Sequence, residues 1–406
     1  MDLTEAQDVV ARALTPFPYD RFFDDIVGKR PLALLKGGRT DRATIVGEDP
    51  ATEILKAYEK YASTLTCHIH TPQTPPPAPR PVESPNGFLS LLREYHQHGY
   101  TVRIPEVTDL SPALSRLTRA LEVILGNPAG VVIFWSEAGA KAPIHYDETD
   151  VIAIQLKGQK RWFISDETTR LPNTWKAMGR TEPPIGAYST YDVAPGDLLY
   201  IPRGTVHTVE STSESIHLAI GFVPVTIREA IASALDYLSD LDRPLRAELG
   251  NRADSLATGQ NGALILEQIR HGIVKLQQHC RSDNFIEQAL NHRQARMMTD
   301  LPKIQTGTPP MAPITVNSLL RHNPLATASV SASQEIVDFR QPGERILVHP
   351  HVANAMHFMA TTPSFRVAEI PGDFGDDIRL SLANRLLASR FLEVVQEKAM
   401  PVGVAS

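Results

Sequence analysis

The chain has 406 residues, 42% of them apolar, and a net charge of −6 at neutral pH, so two or three folded units are expected. That mild acidity excludes the basic footprint needed to grip phosphates, and nucleic acid is not expected as a partner. Cys67 and Cys280 are the only cysteines, too few for a disulfide framework or a Cys-based zinc site, and no apolar run reaches membrane-spanning length.

The chain opens on MDLTEAQDVVARAL, acidic and amphipathic, without the basic start and apolar core of a signal peptide. A reducing, cytoplasmic compartment is the expectation. RPLALLKG reads as a strand. Residues 71–85, TPQTPPPAPRPVESP, are too proline-dense for core and predict an exposed, extended crossing. FLSLLREYHQHG and SPALSRLTRALEVILG predict two helices, the second opened by Ser111 with Pro112 in its first turn. His68, His70, His96 and His98 flank these elements and read as solvated or locally bonded side chains.

From 130 to 223 the texture changes to short β-branched and aromatic runs between turn residues: GVVIFW, VIAIQLKG, KRWFIS, DLLYIP, TVHTVES and HLAIGF. That pattern predicts a β-barrel or sandwich. Beyond Pro224 helix returns. Ile227, Ile231, Leu235 and Leu238 share one face, and Leu266, Ile269, Ile273, Leu276 and Cys280 keep a 3-then-4 spacing. The second set either packs inside its own domain or forms a dimer seam. LPKIQTGTPPMAP, residues 301–313, predicts a linker. After it come an expected helix near 315–322, β-runs at EIVDF, RILVH and FRVAEI, and a helix over 376–398, a plan suggesting a winged-helix-like module. Its 8 Lys/Arg against 9 Asp/Glu from 311 onward leave it no charge for phosphate binding.

The chemistry concentrates in HYDETDVIAIQLKGQKRWF, residues 145–163. At the head of a strand, His145 and Asp147 share a face, because side chains alternate. An imidazole and a carboxylate are two legs of a facial metal site, and APGDLLYIPRGTVHTVES offers His207 as the third. Two histidines and one carboxylate with open positions suit non-haem Fe(II). His217, one strand later, is the rival third ligand and otherwise a core residue or one that supports a ligand from behind. LKGQKRWF predicts a hairpin whose alternation sets Lys160 and Trp162 on one face and Arg161 and Phe163 on the other. An inward Lys160 without a partner costs several kcal/mol or deprotonates, and a ligand carboxylate would relieve it. The opposite setting, with Arg161 inward, stays open.

HYDETDVIAIQLKGQKRW and APGDLLYIPRGTVH together resemble the core of the JmjC/cupin-type 2-oxoglutarate-dependent protein hydroxylases, particularly the ribosomal oxygenases and the asparaginyl hydroxylase that inhibits hypoxia-inducible factor. The match runs from about 130 to 223, with DRFFDDIVGKRPLALLKG fitting the usual lead-in more loosely. The resemblance implies a mainly β double-stranded β-helix with flanking helices, a helical dimerisation region and a small winged-helix-like C-terminal domain. The corresponding domain bounds are 1–225, 226–300 and 311–400. It implies Fe(II) on His145, Asp147 and His207, O2 and 2-oxoglutarate as co-substrates, and Lys160 on the distal carboxylate; Ser136, Trp135 and His217 are the candidate residues for further co-substrate contacts. It also implies a protein or peptide substrate, such as a ribosomal protein, and a homodimer; no membrane partner is expected from the hydropathy. A metabolite or natural-product peptide hydroxylase, a methyl-lysine demethylase and a non-enzymatic cupin-fold binding protein are the alternatives. Where the asparaginyl hydroxylase has threonine and asparagine, this chain has Ala142 and Val151, so those two contacts are absent or supplied elsewhere.

Overall fold

A computed structural model describes residues 1–35, 40–69, 74–167, 184–248, 262–305 and 313–395. The chain parts into two compact units, Met1–Val223 and Pro224–Ser406.

In the first unit, helices α1 (Leu3–Leu14), α2 (Pro50–Lys56), α3 (Pro85–Gln97) and α4 (Pro112–Leu125) accompany ten strands. These are β1 (Leu32–Leu34), β2 (Thr66–His68), β3 (Thr101–Pro105), β4 (Ala129–Ser136), β5 (Asp150–Lys157), β6 (Lys160–Ser165), β7 (Tyr188–Val193), β8 (Leu198–Ile201), β9 (His207–Ser211) and β10 (Ser215–Phe222). Ser111 caps α4 by accepting from the Leu114 N–H, with Pro112 in the first turn, as expected.

Seven strands form one sheet in the order β1-β8-β5-β10-β4-β3-β2, and three form another in the order β7-β6-β9. Alternation along the large sheet decides its two faces. Ile133, Trp135, Ile152, Ile154, Leu198, Ile216, Leu218 and Ile220 join Val10, Leu14, Leu91, Leu117 and Leu121 in the main core. The intervening residues Ala153, Leu199 and Ile201 meet Trp162, Ile164 and Val193 of the small sheet in a second apolar cluster. The helices therefore cover one face of the large sheet, and the small sheet covers the other. This is the double-stranded β-helix that the resemblance implies.

The stretch LKGQKRWF is not a hairpin. β5 pairs with β8 and β10, whereas β6 pairs with β7 and β9, so Gly158-Gln159 carries the chain from one sheet to the other. Gly158 has φ +65°, and a Cβ there would stand 1.9 Å from the Glu214 carbonyl oxygen. Only glycine fits this crossing. The proline-rich segment, described from Thr74, is not wholly exposed. Pro77 is buried, its carbonyl accepts from the Tyr95 hydroxyl at 2.5 Å, and the Thr74 carbonyl accepts from Tyr100 at 2.6 Å.

The second unit holds α5 (Ile227–Leu241), α6 (Gly262–His279), α7 (Asp283–Asp300), α8 (Ala353–Thr361) and α9 (Asp376–Ala388). Six short strands form two three-stranded sheets: β11 (Leu319–His322), β12 (Ser329–Ala332), β13 (Val337–Gln341), β14 (Glu344–Val348), β15 (Ser364–Arg366) and β16 (Leu392–Val394). The helix expected near 315–322 is instead a turn followed by β11. Ser318 Oγ accepts the Thr315 N–H at 2.9 Å, and buried Leu320 then pairs with both Phe365 and Val394. The helix expected over 376–398 stops at Ala388, because Arg390 takes a left-handed φ of +61° and β16 follows. Most of the predicted linker lies outside the described residues. On α5 and α6, Ile227 and Ile273 are 82% and 62% exposed, with Ile231, Leu266 and Ile269 also open to solvent, while Leu238 is buried and Leu276 and Cys280 pack against its cluster.

Candidate metal centre

His145 and Asp147 do not sit within a strand, since β5 begins only at Asp150. Their shared direction has another cause. His145 forms an isolated antiparallel bridge with His207: its N–H donates to the His207 carbonyl at 3.0 Å, and the His207 N–H donates back at 2.8 Å. Directly opposed residues of an antiparallel pair project to the same side, and the two imidazole centroids lie 4.4 Å apart. The Asp147 carbonyl accepts from the Gly204 N–H at 2.8 Å, which ties the carboxylate-bearing residue to the turn just before β9. Asp150 holds that turn too, accepting from the Arg203 N–H at 2.9 Å.

One ligand atom from each of His145, Asp147 and His207 lies within 4.8 Å of the others, the one such trio among the described residues. Asp147 Oδ1 is 3.9 Å from His145 Nε2, and Oδ2 is 3.6 Å from His207 Nε2. Both Nδ1 atoms are engaged with backbone carbonyls, His145 with Pro143 at 2.8 Å and His207 with Thr205 at 2.9 Å. That fixes the tautomer with Nε2 as the free donor of electrons, the outer-shell arrangement that metal-binding histidines use. Burial, then the neighbouring His145, push His207 below the usual imidazole range against the pull of Asp147. It stays neutral, as a ligand must. Two imidazoles and a carboxylate on one side suit a divalent first-row metal such as Fe(II), so the residues present fit that ion.

Lys160 lies inward, 2% exposed, and Arg161 points to solvent where it pairs with Asp192 at 2.7 Å. Lys160 Nζ crosses between the sheets and donates to Ser136 Oγ at 2.8 Å. No acidic side chain pairs with it among the described residues, and burial drives its ammonium down to about 7. Ser136 Oγ also accepts from the Thr101 hydroxyl at 3.0 Å. With both incoming hydrogens accounted for, its own O–H remains to donate.

Alternation separates the other two expected contacts. Trp135 faces the helices, its indole N–H donating to Glu214 at 3.0 Å and its carbonyl meeting His96 Nε2 at 3.1 Å. Its side chain is on the wrong face of β4 to meet a ligand held by Lys160. His217 is inward and buried, stacked on Phe134 at 4.9 Å and edge-on to Trp162 at 5.4 Å. It stands apart from the metal trio. The sequence reading omits Phe134 and takes His68 as solvated or locally bonded, whereas burial dominates its surroundings. His68 sits edge-on to Phe134 at 5.6 Å, and burial, then His145 and Lys160, lower its titration to about 4. Phe134 is the ring between His68 and His217. His68 lies on β2, far from the motif in sequence, and only the pairing of β2 with β3 and of β3 with β4 brings it here. His70 lies outside the described residues.

Residues 109–230 match the JmjC domain family. The chain carries a JmjC domain. Around it, the chain is 35% identical over 139 residues to ribosomal oxygenase 2 of Rattus norvegicus, covering 33% of this chain and 29% of that protein. It is 27% identical over 227 residues to the bifunctional lysine-specific demethylase and histidyl-hydroxylase NO66 of Dictyostelium discoideum, covering 53% of this chain and 43% of that protein. The match thus spans less than half the length of these curated relatives. Over nearly its whole length the fold is that of the Escherichia coli ribosomal oxygenase YcfD, with TM-score 0.54 at 19% identity, covering 93% of this chain and 98% of the other. YcfD is also known in complex with cobalt and 2-oxoglutarate, a structure matching at TM-score 0.56 and 18% identity, over 94% of this chain and 99% of the other.

Proposed function

We propose that the JmjC domain is an Fe(II)- and 2-oxoglutarate-dependent dioxygenase that hydroxylates a side chain of a protein or peptide, with ribosomal proteins as the first candidates. The observation that carries this reading is the conjunction, in one inter-sheet space, of a two-histidine-one-carboxylate trio and a buried ammonium with no acidic partner among the described residues. The bound iron, with O2 and 2-oxoglutarate, supplies the oxidising equivalents for placing one oxygen atom in a C–H bond, the co-substrate leaving as succinate and CO2. The chain's own residues do the rest. His145 and His207 offer Nε2 lone pairs, fixed by Pro143 and Thr205, and Asp147 offers the charge. Lys160 and Ser136 hold the far carboxylate by charge-assisted hydrogen bonds and so fix the orientation of the co-substrate. The cluster of Trp162, Ile164, Val193, Leu199 and Ile201 keeps water from that end of the space.

Support for a polypeptide substrate comes from the relatives' names, ribosomal oxygenase and histidyl-hydroxylase. The name NO66 also includes lysine demethylation, and hydroxylation of an N-methyl group is the second reading. The test is incubation of the protein with Fe(II), 2-oxoglutarate and a ribosomal protein fraction. The expected result is succinate release together with the mass gain of one oxygen on a defined peptide. Succinate release with formaldehyde instead would favour demethylation, and no release with any polypeptide would remove the protein-hydroxylase reading.

The same proposal divides the second unit into a helical region, 226–300, and a winged-helix-like module, 311–400, after an oxygenase domain of 1–225. The exposed Ile227, Ile269 and Ile273 support a homodimer. Ile269→Asp with Ile273→Asp should halve the mass in light scattering, and an unchanged mass would remove the seam. No helix among the described residues is long and apolar enough to cross a membrane, and with Cys67 and Cys280 both free the cytoplasm remains the proposed location.

A further inference from the structure

The distal carboxylate of a dicarboxylic 2-oxo acid has more acceptor capacity than one lysine fills, and the sequence leaves Ala142 and Val151 where two polar contacts are expected. Opposite Lys160, the large sheet presents a buried imidazole with one unpartnered nitrogen. His217 is 4% exposed, and its Nδ1 has no hydrogen-bond partner among the described residues. Its ring orientation is not free, because Phe134 stacks on one face at 4.9 Å and Trp162 abuts it at 5.4 Å. Direct pairing of β4 with β10 sets His217 opposite Phe134 and Ser215 opposite Ser136, so His217 shares the inward face with the hydroxyl that receives Lys160. Burial, then Lys160 and His68, hold its titration well below the usual imidazole range. It is a neutral ring with one N–H and one lone-pair nitrogen; the buried Nδ1 costs stability in either tautomer unless something meets it, and a carboxylate beside it would select the form with the proton on Nδ1.

We infer that His217 is a positioning residue for the co-substrate: its imidazole N–H donates to the carboxylate held by Lys160 and Ser136, making a three-donor cradle that selects a 2-oxo dicarboxylic acid over a 2-oxo monocarboxylic acid. This rests on the dioxygenase reading of the site. Gln155 helps to explain why the cradle must use His217. Gln155 is the cross-strand partner of His217, but its amide N–H groups are spent on the Lys157 and Gly158 carbonyls at 2.7 and 3.3 Å. Its Oε1 is left as an acceptor without a partner among the described residues, the wrong polarity for a carboxylate.

The experiment compares His217→Asn with His217→Leu, two side chains of nearly equal shape. Asparagine keeps an N–H near the position of Nδ1, and leucine does not. Calorimetry on the Co(II)-loaded full chain measures binding of 2-oxoglutarate and of 2-oxobutyrate, with Lys160→Met as the control. His217→Leu is expected to weaken 2-oxoglutarate about tenfold or more, His217→Asn no more than about threefold, and 2-oxobutyrate is expected to bind both alike. Equal losses for Leu and Asn, or equal losses for both ligands, would overturn the role of His217. Should the wild-type protein fail to bind 2-oxoglutarate, or Lys160→Met bind it normally, the dioxygenase reading itself falls. If both His217 variants unfold, the wild-type protein decides. With Zn(II) bound and histidines labelled with nitrogen-15, one buried imidazole nitrogen should shift on adding 2-oxoglutarate but not 2-oxobutyrate, and the absence of that shift would count against the assignment.

Discussion

The two faces of the seven-stranded sheet are made by the same strands and do opposite work. On β4 and β10 the outward residues, Ile133, Trp135, Ile216, Leu218 and Ile220, are sealed under helices in the main core. The inward residues one step away are Phe134, Ser136, Ser215 and His217. The outward set loses water and gains apolar contact, which stabilises the fold. The inward set includes buried polar atoms whose partners are missing or few, which opposes folding. The difference teaches that the inward face is held in place by the outward one, and that its polar composition answers to something other than stability.

The sharpest way to break that comparison is at the trio. His145→Ala, Asp147→Ala or His207→Ala should each reduce turnover by about a thousandfold or more, since each removes a proposed metal ligand. The melting temperature of the metal-free protein should hardly move, because none of the three belongs to an apolar core cluster. Retained turnover in any of them, measured as succinate release, would dismiss the metal assignment. On the other face the expectation reverses. Leu218→Ala should cost about 2–5 kcal/mol in urea unfolding, as large-to-small changes in well-packed cores do. The affinity for 2-oxoglutarate in the fraction that stays folded should be unchanged. A loss below about 1 kcal/mol would mean that the outward face is not the anchor.

Lys160 tests the boundary between the two roles. Lys160→Met keeps most of the volume and deletes the charge. It should weaken 2-oxoglutarate by about ten- to a hundredfold, the scale of a charge-assisted bond, while raising the thermal midpoint of the ligand-free protein near neutral pH. A variant that loses both affinity and stability would show that Lys160 supports the fold rather than a ligand.

Much of this architecture was legible because it depends on local pattern. Alternation alone separated Lys160 from Arg161, and Ser111-Pro112 marked the start of α4. The trio was legible in composition and spacing, although its geometry has a different origin: His145 and Asp147 converge through a bridge to His207 and a turn at Gly204, not through strand alternation. What stayed hidden depends on long-range pairing. His68 reaches the site through two strand partners, and nothing near it in sequence hints at that. The supposed hairpin at Gly158-Gln159 failed for the same reason, because a two-residue link between strands looks alike whether they pair or part into different sheets. Trp135 was misassigned by one position of alternation: its neighbour Ser136 faces inward, and the indole cannot.

The smallest effect is a proton. The Lys160 ammonium, driven by burial to about 7 from its ordinary 10.5, acts on His217, His68 and His96 among the described titratable groups, and all three are held below the usual imidazole range. In the unfolded chain Lys160 holds its proton up to about pH 10.5, so the unfolded state binds more protons between pH 7 and 10.5. The penalty for burying the charge is fully present below pH 7 and fades as pH rises through that window, so stability rises with pH there. Lys160→Met should lack this rise. A bound carboxylate restores the charged form, so 2-oxoglutarate should take up a fraction of a proton at pH 8, read by calorimetry in buffers of different ionisation enthalpy. Uptake should approach zero at pH 6, where the lysine is already protonated, and should vanish in Lys160→Met. If uptake were the same at pH 6 and 8, the inward face would already carry a settled charge, and the contrast with the outward face would lose its electrostatic half.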